Sequence, residues 1–263
     1  MSGFSADWLA LRAPFDAAAR SAGLARAFAA RLPARSAIVD LGAGTGASRR
    51  ALAPLVGPGA RWTFVEGDPA LLARALEGAP GARGAALDLA GRWDGVLDRG
   101  ADAVTAFALL DLASAGWIEA LAAALVRRGL PFYAPLVVDG RGGWAPGDPD
   151  DTLVERLFSA HQRRPKGLGR GPALGPAAPA RAGAAFRRRG WRVRMAVSDW
   201  RVGPADRAML AAMVDGAAAA AAEQSPMDHE RVAAWAGRRR RQVADGALTL
   251  AVGHRDILAE PAR

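Results

Sequence analysis

Apolar positions along the chain alternate between helical stripes and short runs. Across residues 5–31, Trp8, Leu9, Leu11, Phe15, Ala18, Leu24 and Phe28 fall at near-helical spacing and predict an amphipathic N-terminal helix. Residues 37–39 are a short apolar run that reads as a buried strand, and residues 47–56 return to helical spacing. The alternation repeats. Strands are predicted at 62–65, 84–87, 102–109 and 131–138, with a helix opened by Asp68-Pro69 and closed at 78–81, and another over 117–128. Pro135 is awkward inside the fifth strand, because proline donates no ladder hydrogen bond; it marks a bulge or an early end.

The regular pattern then breaks. Residues 139–149 read as a loop by composition, 150–160 as a short helix, and 161–172 as a polar, basic, glycine-rich stretch. Residues 139–180 therefore look like an insertion. Helix returns at 179–189, an alternating strand at 191–200, an alanine-rich helix at 204–223, and a helix from a capping-box-like start at 225 to Gly246. A last strand is predicted at 247–252. Strands alternating with helices imply an α/β fold with a mostly parallel sheet, and neither an internal repeat nor an interdomain linker is visible. The reading is one domain, 1–263, with a helical cap at 1–33.

The first strand runs into Asp40-Leu-Gly-Ala-Gly-Thr-Gly46. A strand, a glycine turn and a helix N-terminus form a cradle for an anionic or polar cofactor. Two cofactors compete for it. Gly42, Gly44 and Ala47 satisfy the dinucleotide pattern, whereas Asp40, Gly42, Gly44 and Gly46 satisfy the acid–Gly-x-Gly-x-Gly pattern preferred by S-adenosylmethionine (SAM). Glu66, at the end of the second strand, stands where an acid would hydrogen-bond ribose hydroxyls in either case, and Asp68 reads as the cap of the next helix. Asp88 supplies a third carboxylate at the end of the third strand, placed to accept an adenine amino group.

This set, Asp40 to Gly46 with Glu66 and Asp88, resembles the class I (Rossmann-like) SAM-dependent methyltransferases: most of the chain in element order, residues 36–114 in motif detail. The resemblance implies a three-layer sandwich on a seven-stranded sheet, with the last strand antiparallel between strands five and six. It implies cofactor contacts from Asp40, Gly42, Ala43, Gly44, Gly46, Glu66, Asp88, Leu89 and Leu110. It also places the acceptor near Asp111 and the insertion, where Gln162 and Lys166 are candidate substrate contacts and His161 a candidate base. Such N-terminal helices often close over the ligands, which makes Arg12 and Arg20 possible lid contacts. The competing readings are that His161 caps a helix end, that Asp111 caps the next helix, and that both arginines are solvated or ion-paired.

Composition narrows the chemistry. The chain has no cysteine, which excludes disulfides, zinc–thiolate sites, radical-SAM chemistry and cysteine-dependent cytosine methylation. No apolar run approaches the roughly 20 residues of a membrane span, no signal peptide is evident, and cytoplasmic residence is the default expectation. The net charge of +9 comes almost wholly from arginine, a pattern better explained by coding bias than by nucleic-acid binding. No Asn/Asp-Pro-Pro-Tyr/Phe segment follows the fourth strand, which weighs against methylation of base amines, and no set of metal-ligand carboxylates stands out. The expected activity is methyl transfer from SAM to a small-molecule acceptor. An NAD(P)-dependent oxidoreductase is the first rival, though Tyr133, the only tyrosine, has no nearby lysine partner; a non-catalytic SAM- or RNA-binding module is the second.

Overall fold

A computed structural model describes residues 5–91 and 93–262; the first four residues of the expected cap lie outside that range. The chain opens with two helices, α1 (Ala6–Ala19) and α2 (Ala22–Ala29), where periodicity predicted one. The break has a local cause. Ser21 is extended and caps α2 by accepting from Leu24 N, while its own N–H donates to Asp256 at 2.8 Å, so it is not available to continue α1.

The alternating core comes next: β1 (Ala37–Leu41), α3 (Ala47–Val56), β2 (Arg61–Glu66), α4 (Pro69–Glu77), β3 (Arg83–Ala86), β4 (Ala103–Thr105), α5 (Ala115–Arg128) and β5 (Phe132–Ala145). After it stand α6 (Asp151–Gln162), α7 (Ala178–Arg187), β6 (Trp191–Val197), β7 (Trp200–Val202), α8 (Arg207–Gln224), α9 (His229–Ala244) and β8 (Thr249–Pro261). The sheet runs β3-β2-β1-β4-β5-β8-β6. Strands β3 to β5 are parallel, and β8 lies antiparallel between β5 and β6.

Four further expectations need correction. The sheet has eight strands rather than seven, because β7 pairs with the first half of β8. The last strand runs on to Pro261 instead of ending at 252. Residues 139–145 are strand, not loop. Their glycines let β5 cross close over β8: a Cβ at Gly142 would stand 2.1 Å from the Ala251 carbonyl oxygen. β4 is also shorter than predicted, since the backbone turns after Thr105 into a 3₁₀ turn at Leu110–Leu112.

Helices α2, α3 and α4 cover one face of the sheet, with Phe28, Leu52, Phe64 and Leu72 in that core; α5 and α7 cover the other, with Leu121, Leu125, Phe132 and Phe186. A third core, built from Leu157, Trp200, Leu210, Trp235 and Leu250, joins α6, α8 and α9 to the outer ends of β5, β7 and β8. The added material is thus larger than the predicted insertion. It is anchored by ion pairs from α9 to the start of α6: Arg238 with Asp148 and Asp150, and the fully buried Arg239 with Asp151.

Candidate functional site

The carboxyl ends of β1, β2, β4 and β5 meet at one edge of the sheet, and the sequence motifs arrive there together. After β1 the chain turns through Gly42, Gly44 and Gly46, each at positive φ, and the N–H groups of Gly42 and Ala43 donate to the Val65 carbonyl of β2 at 2.9 and 3.1 Å. Gly46 caps α3 in the left-handed conformation and offers no side chain to its free N–H groups. Glu66 spans the turn: Oε2 accepts from Gly44 N at 2.8 Å and Oε1 from Asp68 N at 3.0 Å. Asp88, two residues beyond β3, is exposed and accepts from Ala90 N. Leu89 and Leu110 are buried in the core below, and Ala43 is buried within the turn.

Asp40 does not face this surface. It is enclosed, with one oxygen accepting from Thr105 Oγ1 at 2.7 Å and the other from the Ser48 hydroxyl. It ties β1 to β4 and to the first turn of α3, and so braces the glycine turn from beneath. Burial pushes its carboxyl up to about 7, against the two hydroxyl donors that favour the anion, and the Glu66 charge pushes the same way as burial.

Helix α1 crosses the edge as a roof. The Leu9 side chain lies over the turn, 3.2 Å from where a Cβ on Gly44 would stand, while Leu109 covers Gly42. One turn on, Arg12 chelates Asp16 at 2.9 and 3.1 Å and lies 4.9 Å from the Trp200 ring centroid; Trp200 Nε1 donates to Asp16. His254 packs on the same ring at 5.0 Å, with Nδ1 3.0 Å from the Val252 carbonyl. It is buried and held well below the usual histidine range, at about 4, by desolvation and then by the Arg12 charge. Asp111, in the turn after β4, is raised to about 6 by burial, opposed by its own backbone N–H and by Arg12. The sequence showed no motif around His254, and it reads there as structural or exposed; its burial comes from β7 and α1, elements far away in the chain.

The backbone is strained here as well. Ala108 (φ 47°) and Leu136 (φ 61°) are the non-glycine residues at positive φ among the described residues, and they sit side by side, Ala108 just beyond β4 and Leu136 at the bulge within β5, with Ala108 N donating to the Pro135 carbonyl at 3.0 Å. Such strain, about 1–3 kcal/mol per residue, persists where surroundings enforce it and clusters at functional sites. The enforcing group is Asp256. Fully buried, it accepts from Leu136 N at 3.0 Å, Tyr133 Oη at 3.0 Å and Ser21 N at 2.8 Å.

The insertion reaches the site through its backbone. Ser114 N donates to the Leu168 carbonyl at 2.9 Å, and Leu174 N to the Ala113 carbonyl at 2.8 Å, so residues 168–174 lie along the segment after β4. His161 stays behind on α6, where its Nε2 is 3.2 Å from Glu223 of α8 and Arg164 pairs with the same carboxylate. Gln162 and Lys166 are half-buried near that end of α6, and neither makes a side-chain hydrogen bond to the described residues.

No protein-family model matches this sequence, and no curated protein does. Among solved structures the chain is similar to a candidate type II methyltransferase from Anaeromyxobacter dehalogenans, 18% identical, with a TM-score of 0.51 over 92% of this chain and 96% of that one. It is also similar to a candidate methyltransferase from Bacillus halodurans C-125, 11% identical, with a TM-score of 0.51 over 92% of this chain and 100% of that one. The fold is thus the Rossmann-like fold of class I methyltransferases, and fold alone does not fix an activity.

Proposed function

We propose that the chain is an enzyme that binds SAM across the glycine turn and transfers its methyl group to a small-molecule acceptor held under α1. The observation that carries this reading is the meeting of the Gly42–Gly46 turn with Glu66 and Asp88 at the ends of three neighbouring strands, on the fold of the methyltransferases. The residues present fit the cofactor. Gly42, Gly44 and Gly46 add no side chain of their own to the turn, so a cofactor approaches it closely once the Leu9 and Leu109 side chains resting on it give way, and each Glu66 oxygen, now meeting one backbone N–H, has a further lone pair for a ribose hydroxyl. Asp88 is exposed beside it for the adenine amino group.

Bound there, SAM supplies a methyl group already activated by the sulfonium charge, so the protein's main task is alignment. The turn and Glu66 fix one partner; α1, the strained segment after β4 with the β5 bulge, and residues 168–174 enclose the other and keep water away. One group in the field of Arg12 suits an acceptor proton: Asp111, which burial raises to about 6, close to the pH at which it would work. His254, buried and held at about 4, is too weak a base to take a proton at pH 7. His161, engaged with Glu223, has the weaker case. The arginine runs offer little to nucleic acid, since Arg188 and Arg189 pair with Glu119 and Arg238 to Arg240 pair with aspartates.

Calorimetry with SAM and with S-adenosylhomocysteine tests the reading. Both should bind and raise the melting temperature, and NADH and NADPH should do neither. Binding of the nicotinamide cofactors with none of SAM would overturn it.

A further inference from the structure

We propose, resting on the methyl-transfer reading, that Arg20 anchors a carboxylate of the acceptor above Phe107, so that the acceptor is a small monocarboxylic acid. Arg20 ends α1. Its guanidinium lies 5.7 Å from the Phe107 ring centroid and is half-buried, yet it makes no hydrogen bond to any described residue. Arg12 on the same helix provides the contrast: its donors are engaged by Asp16 and its plane rests on Trp200. Five N–H donors on a preformed planar fork, held by an aromatic face and lacking a carboxylate, suit bidentate capture of one.

The position is built rather than incidental. Phe107 directly precedes the strained Ala108, and its ring stands edge-on to Tyr133 at 5.9 Å. Tyr133 donates to Asp256, and Asp256 also holds Ser21, the residue next to Arg20. One buried carboxylate therefore fixes the floor of the subsite, its strained rim and the joint that carries the cation. The nearby acids do not neutralise Arg20: Asp16 is chelated by Arg12 and bonded by Trp200, and Asp256 is enclosed by three donors. One cation without a second matches a monoanion better than a phosphate dianion, which would leave a charge uncompensated. Nor does the glycine turn compete for it. Leu9 covers Gly44, and Arg20 lies eleven residues further along, roughly 16 Å of helical rise.

The test uses the full chain saturated with S-adenosylhomocysteine, with acetate, benzoate and cinnamate each paired with its neutral amide. At least one acid should bind about tenfold or more tightly than its amide, the scale of a charged hydrogen-bonded pair. Arg20→Met should abolish that preference, Arg20→Lys should retain part of it, and both variants should hold S-adenosylhomocysteine within about twofold of the unaltered chain. Equal binding of every acid and amide, or a preference that survives Arg20→Met, overturns the proposal. So does an Arg20→Met chain that loses S-adenosylhomocysteine, which would give Arg20 to the cofactor. Failure of the unaltered chain to bind that product at all refutes the methyl-transfer reading instead, and acid-over-amide binding then still reports on Arg20 alone.

Discussion

At the residue scale, Glu66 does two things. Its carboxylate holds Gly44 N and Asp68 N, and in the proposed reading it also meets the cofactor ribose. Glu66→Ala should therefore weaken S-adenosylhomocysteine more than tenfold, from the loss of roughly 1.5–3 kcal/mol of charged hydrogen bonding. It should lower the melting temperature too, because the glycine turn loses its brace, whereas Glu66→Gln, whose single carbonyl oxygen can accept only one of the two N–H groups, should recover part of the stability and still lose affinity. Calorimetry and differential scanning on both variants check this, and an unchanged affinity in Glu66→Ala would remove the ribose role. The identities of Glu66, Asp88 and the glycines were legible because each sits at a strand end marked by local pattern. Their partners were not. Thr105 meets Asp40 from 65 positions away and Asp256 meets Tyr133 from 123, and no local spacing encodes such a pair. The environment of Asp40 was equally hidden: the motif named an acid, and only the packing of β4 and α3 encloses it.

At the element scale, periodicity found most strands and helices of the parallel core, because each buries one face or both against the layers beside it. It failed where a tertiary partner overrode it. Ser21 stops the first helix because Asp256 takes its N–H, and β5 continues through glycines because β8 passes close beneath. Asp256 is the element-scale keystone, bonding the α1–α2 joint, β5 and the β5 bulge from its place on β8. Asp256→Ala leaves two backbone N–H groups and a phenol buried without a partner, and should destabilise by about 3 kcal/mol or more in urea unfolding. Tyr133→Phe removes one donor and leaves the carboxylate its two backbone bonds, so it should cost about 1 kcal/mol. Equal losses in the two variants would mean that Asp256 acts only through Tyr133.

At the scale of the whole molecule, buried titrating groups set how stability responds to pH, and two of them pull in opposite directions. His254 falls from 6.5 to about 4 on folding, chiefly by desolvation and then by Arg12, with the Val252 carbonyl, Asp139 and Asp199 opposing. Between those values the unfolded chain holds the proton and the folded chain does not, so this group removes stability as pH falls from 6.5 to 4. Asp40 rises from 3.8 to about 7, so its stabilisation is complete below 3.8 and is lost as pH rises to 7. Over the shared window these two nearly offset, and Asp111, raised by burial from 3.8 to about 6, adds its own loss, so the unaltered chain should lose stability as pH rises from 4 to 6. Removing either should expose the other. Relative to the unaltered chain, His254→Gln should gain about 3 kcal/mol on going from pH 7 to pH 4, at about 1.4 kcal/mol per pKa unit, whatever fixed cost the substitution carries. Asp40→Asn should move the opposite way, gaining relative stability of the same order on going from pH 4 to pH 7. Urea midpoints at pH 4, 5.5 and 7 on the three proteins decide it: two difference curves of opposite slope place both groups in the folded core in the forms described, and parallel curves would mean that neither titration is linked to folding.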